Sequence, residues 1–389
     1  MARKTNYEKN SSEYYRVTTS VGRDSNGKLI RKEFYGNSKK EAEGKRDEYL
    51  NGIKSGLNID FKDACLGELM HLWLFEVVRV SDKVKASSFE RYETIYRLYV
   101  KDSDIYGLNL STLKSIQIQR YYNKLYEKGK KSTLIKNINK LLRTFFNYAV
   151  DEGYILKNPC SGKRIVIPGE KDIEDKEVEV FTNEEIGILK RHLENHRLKA
   201  LFLLALGTGL RQGELLALKW SDIDLDNKEL RVERSIRQLN IINADGTKEY
   251  KTIIQTPKSK SSIRTVPIPS SLIPVLKEHK TQQKLEKIKA GPSYIENDFV
   301  FTTELGKNIN ASNLRRSYTR LLKRAGIPYR KFHAFRHTYA TKLFEANVPL
   351  KTVQMLLGHS DISVTANIYT HVMPEEKTLA AEKLNNLFL

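Results

Sequence analysis

The chain has 389 residues, 40% hydrophobic and 29% charged, which suits two or three globular domains and excludes a disordered or fibrous protein. Its 67 Lys+Arg against 47 Asp+Glu leave a formal charge of +20, which favours a polyanionic partner. Cys65 and Cys160 show no C-x-x-C spacing, and no stretch nears the ~20 apolar residues of a membrane span. The opening residues MARKTNYEKNSSEYY lack the apolar run of a secretory leader, so a soluble protein in a reduced, cytoplasmic setting is expected.

In chain order, EYYRVTTSV (13 to 21) and KLIRKEFYG are β-branched and aromatic, and predict a hairpin turned at Ser25, Asn26 and Gly27. Ser38 followed by Glu41 is a capping box that opens a helix. This predicts a small strand-and-helix module over residues 1–60. A sheet of this kind can lie in a DNA major groove, with Arg16, Arg31 and Lys32 as candidate contacts.

Helical periodicity then takes over in GELMHLWLFEVV, SSFERYETIYRLYV, SIQIQRYYNKLYEK and STLIKNINKLLRTFFNYAVDEGY, predicting a four-helix domain over 63–160. Residues 83 to 165 hold 17 Lys+Arg and 7 Asp+Glu, half of the whole excess charge. Lys128, Lys130, Lys131, Lys136 and Lys140 cluster at one helix junction and the next helix start, as phosphate tracking requires. Residues 161–178, rich in Gly, Pro and charge, predict a linker.

The last domain, 179–389, opens on a second capping box, Thr182 to Glu185. It is expected to be mostly helical with a small antiparallel sheet, so the whole chain is multidomain, mainly α with small antiparallel sheets (α+β). Within it, ALGTGLRQGELLALK sets Arg211 and Glu214 between apolar flanks, where a buried arginine needs a carboxylate partner. TPKSKSSIRTVPIP reads as a β-hairpin with a basic tip of Lys258 and Lys260. FHAFRHTYAT places His333 and Arg336 on one helix face, with His337 one turn beyond His333. LLGHSDISVTANIYTHV offers His359 after Gly358 and Tyr369 ten residues later. A nucleophile, cations and proton donors are what phosphoryl transfer to a tyrosine hydroxyl needs. The region lacks a carboxylate cluster to hold magnesium, so the arginines are expected to carry the charge, with no metal or cofactor.

Arg in TGLRQGELLAL, Lys in TPKSKSSIRTVPIP, His-x-x-Arg in FHAFRHTYAT, His in LLGHSDIS and Tyr in NIYTHV resemble the tyrosine recombinase (phage integrase) family, over about residues 179 to 372 and in the family's order. The two preceding domains are similar to the arm-binding and core-binding domains of integrases from phages and conjugative transposons. The resemblance implies that Tyr369 attacks the scissile phosphate to give a 3′-phosphotyrosyl link. Arg211, Arg336 and His359 would hold its oxygens, Lys258 would protonate the 5′-oxygen, His333 would assist the tyrosine's proton and Glu214 would orient the site. Lys260, two residues from Lys258, leaves two lysines for the acid. The implied partners are double-stranded DNA at core and arm-type sites, a homotetramer on that DNA, an excisionase and a DNA-bending factor. The location implied is the bacterial nucleoid.

Ala334 and Phe335 stand where the family more often has an acidic or polar residue and leucine, which predicts a packing difference only. His192 and His196 in HLENH have a metal-like spacing but no third ligand, and read as a solvated face. The tail PEEKTLAAEKLNNLFL repeats apolar residues at helical spacing and is expected to pack on a neighbouring protomer. A type IB topoisomerase and a catalytically silent DNA-binding regulator are the rival readings.

Overall fold

The computed structural model describes residues 3–9, 12–23, 29–54, 64–162, 164–169, 178–256 and 260–372. The chain divides into two compact units, Met1–Glu174 and Asp175–Leu389.

In the first unit, β1 (Arg3–Lys9), β2 (Ser12–Arg23) and β3 (Leu29–Gly36) form an antiparallel sheet in that order. The polar β1, RKTNYEK, has no apolar alternation to announce it. The expected turn at residues 25–27 lies outside the described residues. Helix α1 (Lys39–Lys54) packs on β2 and β3 over Val17 and Ala42, both buried. Its cap is reciprocal but offset by one residue. Glu41 N–H donates to Ser38 Oγ at 3.2 Å, while the Glu41 carboxylate accepts from Asn37 N–H at 2.8 Å.

The helices expected next are α2 (Leu66–Leu72), running on as a π-helical turn over Trp73–Val78, then α3 (Ala86–Tyr99), α4 (Ser115–Glu127) and α5 (Ser132–Asp151). On α5, Ile135, Ile138, Leu142, Phe145, Phe146 and Ala149 recur at helical spacing and all are buried, which drives its docking. The start of the expected linker is held rather than free. Gln119 bonds both backbone groups of Val166, at 2.8 and 2.9 Å, and Ser132 Oγ donates to Pro168 O at 2.6 Å.

The second unit begins with α6 (Asn183–Leu193), whose box is as the sequence predicts. Glu185 N–H donates to Thr182 Oγ1 at 3.2 Å and Thr182 N–H to Glu185 Oε2 at 3.0 Å. We expect Thr182→Ala to lower stability by about 1 kcal/mol, read as a smaller urea midpoint at unchanged slope. There follow α7 (Lys199–Thr208), α8 (Gln212–Ala217), β4 (Ile223–Asp224), β5 (Glu229–Val232), β6 (Ser235–Ile242), β7 (Lys248–Gln255) and β8 (Arg264–Pro267). The helices α9 (Ile273–Ala290), α10 (Ala311–Arg324), α11 (Ala334–Glu345), α12 (Leu350–Leu357) and α13 (Ile362–Val372) complete it.

The basic segment is not the tip of a hairpin, as the sequence suggested. Strand β6 pairs with β7, and β5 pairs with β8 in a separate sheet. Ser235 lies opposite Gln255 and Val232 opposite Arg264, so the strands on either side of the basic segment do not pair with each other; residues 257–259 lie outside the described residues. The turn itself is at Asn243–Thr247, where Asn243 N–H bonds Thr247 O at 2.9 Å. Its Asp-Gly, the stronger turn chemistry, outcompetes the lysine-rich stretch.

The main core of this unit gathers Leu201, Phe202, Leu215, Val300, Tyr318 and Phe335, among others. Phe335 sits against Phe181, Phe202, Tyr318 and Phe332 at 5.2 to 6.0 Å, an aromatic side chain in a matching aromatic pocket. A smaller core of Ala340, Phe344, Val353, Leu357 and Ile368 joins α11, α12 and α13.

Candidate active site

Two left-handed glycines set the site. Gly209 (φ 62°) ends α7, and a Cβ there would lie 2.4 Å from the Tyr339 ring; Gly358 (φ 65°) ends α12. Between Gly209 and α8, Arg211 takes the N-cap position. Glu214 accepts from the Arg211 backbone N–H at 2.9 Å and from its Nη1 at 2.8 Å, as the sequence pairing required. Glu214 is buried, while the Arg211 side chain keeps 35% of its surface exposed. A second guanidinium, Arg264 of β8, also grips Glu214, at 3.0 and 3.4 Å.

The C-terminal turn of α12 brings the arginines together. Leu356 O accepts from Arg264 Nε at 2.7 Å, Leu357 O from Arg336 Nη2 at 2.6 Å and Gly358 O from Arg211 Nη2 at 3.3 Å. Arg336 also donates Nη1 to Gly209 O at 2.9 Å and is 1% exposed. These carbonyls are the ones a helix end leaves without intrahelical donors and where cations are favoured. His359 follows directly, its Nδ1 2.8 Å from Thr365 Oγ1. His333 caps the start of α11 and its ring meets that of His337 edge-on, centroids 4.7 Å apart.

Three cations face one buried carboxylate here, and the titrating groups respond. Burial would raise the Glu214 carboxyl, but Arg264 and then Arg211 outweigh it and hold it below its ordinary range. Burial, with the charges of Arg336 and Arg211, pushes the His359 imidazole down to about 3. His333 has an exposed edge, yet burial of the rest of the ring beside His337, Arg336 and Arg211 pushes it down to about 4. Both imidazoles are therefore neutral near pH 7, below their ordinary 6.5. The unfolded chain then binds more protons than the fold between about pH 6.5 and pH 4, so stability falls as acidity rises through that window. We expect the DNA-free chain to melt at progressively lower temperature across it, with a shallower slope in a His333→Asn, His359→Asn variant.

Tyr369 lies on α13, half-buried, its ring edge-on to Phe344 of α11 at 5.1 Å. Lys258 lies outside the described residues; Lys260 begins a 3-10 turn over Lys260–Ser262. The tail 373–389, expected to pack on a neighbour, also lies outside them. His196 is not a solvated face residue: it is half-buried, meets the Phe202 ring edge-on at 5.6 Å and accepts from Leu198 N–H at 3.0 Å.

Among the candidate DNA contacts, Lys128, Lys130, Lys131, Lys136 and Lys140 are all exposed, around the end of α4 and the first turns of α5. Arg16 and Arg31 are exposed on β2 and β3, although Arg16 is paired with Glu33 at 3.2 Å. Lys32 is turned the other way, its ammonium 4.5 Å from the Tyr49 ring of α1. Two features escaped the sequence reading. Arg264 was hidden in the alternation of SIRTVPIP, where its partner Glu214 is 50 residues away. On α10, Arg315, Arg316, Arg320, Lys323 and Arg324 are exposed opposite the buried Leu314, Tyr318 and Leu321, a basic face that helical spacing alone would have revealed.

Comparison with known proteins places this geometry. The phage integrase family model matches residues 179–376. The chain is 66% identical to a tyrosine recombinase XerC-like protein of Caldanaerobacter subterraneus subsp. tengcongensis, over the whole length of both. It is similar in fold to the Tn1549 transposon integrase in complex with transposon right end DNA, at 21% identity and TM-score 0.66, covering 82% of this chain and 99% of that one. A lambda integrase tetramer bound to a Holliday junction aligns at 18% identity and TM-score 0.53 over 93% of each chain.

Proposed function

We propose that this chain, which belongs to the phage integrase family and is a tyrosine recombinase that cuts and rejoins DNA, is the site-specific integrase of a mobile genetic element. The observation that carries the chemistry is the convergence of Arg211, Arg336 and the residue before His359 on the last turn of α12. Such a cluster matches an anionic, roughly trigonal group better than any apolar ligand.

In the proposed reaction the Tyr369 hydroxyl attacks the scissile phosphorus. An O–P bond to the tyrosine forms, the P–O5′ bond breaks, and the 3′ end stays on the protein. Arg211 and Arg336 take the non-bridging oxygens; Arg336 uses two of its five N–H donors on carbonyls and keeps the rest. His359, neutral and with Nδ1 held by Thr365, offers Nε2 to a third position. His333, also neutral, can accept the proton leaving Tyr369, and Lys258 returns one to the 5′-oxygen. The phosphotyrosyl link keeps the phosphodiester's energy, so the 5′-hydroxyl of a second strand reverses the step through a Holliday junction without ATP. Four protomers on two duplexes fit that exchange, with an excisionase and a DNA-bending factor as partners, on DNA in the bacterial cytoplasm.

The lysines of α4 and α5 and the basic face of α10 suit phosphate contact along the duplex. Lys140→Ala is expected to weaken binding to all sequences alike and to lower the salt slope by roughly 1. The mobile-element reading draws on the strand-and-helix module ahead of the helical domain, apt for separate arm-type sites, and on the likeness to a transposon integrase.

The test uses a duplex nicked beside the cleavage point, so that the freed strand diffuses away and the covalent adduct accumulates. An adduct on the element's own ends, and exchange between two duplexes, supports an integrase. Adduct with relaxation of one duplex but no exchange would indicate a topoisomerase, and salt-sensitive binding with no adduct a silent regulator.

A further inference from the structure

Beside the groups given a role above lies a buried cation that the reaction does not use. The Arg264 side chain is 6% exposed and is set apart by its bonding. Its donors are taken up within the fold: Nη2 by Glu214 Oε2 at 3.0 Å, Nη1 by Glu214 Oε1 at 3.4 Å and Ser262 O at 3.1 Å, and Nε by Leu356 O at 2.7 Å. These acceptors belong to three separate segments. Glu214 holds Arg211 at the start of α8; Ser262 ends the 3-10 turn Lys260–Ser262 ahead of β8; Leu356 begins the carbonyl run that leads to His359. Gly358 lies against the same side chain, since a Cβ there would be 3.0 Å from Arg264 Cδ and Nη1.

We propose that Arg264 is a positioning residue for DNA cleavage, whose one guanidinium fixes the spacing of α8, the Lys260–Ser262 turn and the last turn of α12. A planar fork can serve two carboxylate oxygens and two carbonyls in set directions, which a lysine ammonium cannot do. Two of these segments adjoin a group assigned to the phosphate, Arg211 at α8 and His359 after α12, and an ångström of misplacement costs on the order of 10²-fold in rate. The inference rests on the assignment of Arg211 and His359 to that phosphate.

The test compares the full chain with Arg264→Lys and Arg264→Met on the nicked duplex at saturating protein, measuring DNA affinity and adduct rate separately. Both variants should bind DNA as tightly as the parent. Adduct formation should slow on the order of 10²-fold in Arg264→Met, with Arg264→Lys in between. A Met variant that cleaves at the parent's rate overturns the proposal, and so does a rate loss matched by an equal loss of affinity. If neither variant melts cooperatively, Glu214→Gln carries the test, because it keeps the shape but removes the charge both arginines share. Parental cleavage by that variant refutes the coupling. Absence of any adduct in the parent brings down the recombinase chemistry and this inference together, whereas a parental adduct with an unimpaired Met variant removes this inference alone.

Discussion

Tyr369→Phe should bind the nicked duplex as tightly as the parent and form no covalent adduct, a loss on the order of the 10⁶-fold seen when a nucleophile is deleted. The variant keeps the ring contact that packs Tyr369 on α11. Edge-on packing against Phe344 at 5.1 Å is available to phenylalanine, so α13 should stay docked on α11 and α12. Melting temperature and DNA affinity serve as controls, and both should be unchanged. A persistent adduct in the variant would move the nucleophile to another residue. Loss of binding alongside the adduct would mean that α13 had undocked and that Tyr369 holds the fold.

The sequence made the local pieces of this site readable and left the joins obscure. Arg211 with Glu214 is a contact across one helical turn, and the two capping boxes are contacts across three residues, so chain spacing alone predicts them. The four helices over 66–151 were legible because one face of each carries the apolar repeat. What could not be read depends on pairing between distant segments. TPKSKSSIRTVPIP looked like a hairpin with a basic tip because nothing in it reveals that Arg264 lies opposite Val232 and Gln255 opposite Ser235. Arg264 was missed for the same reason. Its alternation with apolar neighbours marks it as an outward strand residue, yet α12 covers that face and buries it at Leu356. The orientation of Lys32 was not legible either: as neighbours on β3, Arg31 and Lys32 point to opposite faces of the sheet, and Lys32 is the one turned toward Tyr49 of α1.

Arg336→Met should separate stability from activity in the same cluster. Cleavage should fall by on the order of 10³-fold, as when a preorganised donor to a transition-state oxygen is lost. Stability should change by no more than about 2 kcal/mol, because two opposing effects of similar size meet there. The variant forfeits charge-assisted bonds to Gly209 O and Leu357 O, which leaves two carbonyls at helix ends without these donors. It also removes a cation that is 1% exposed and repelled by Arg211 and Arg264, with Glu214 as the carboxylate they share. Loss of an essential structural pair would instead cost about 3–5 kcal/mol. A melting curve within the smaller range beside a dead enzyme therefore assigns Arg336 to the phosphate. The same balance explains why so costly a side chain is buried here. Among the described residues, three guanidiniums around one carboxylate leave an excess of positive charge, and on the function proposed above a phosphodiester entering beside Arg211 would supply the matching anion. On that proposal the site is complementary to the charge of a DNA-bound state more than to its own DNA-free state, which is the condition for spending little reorganisation at the moment of cleavage.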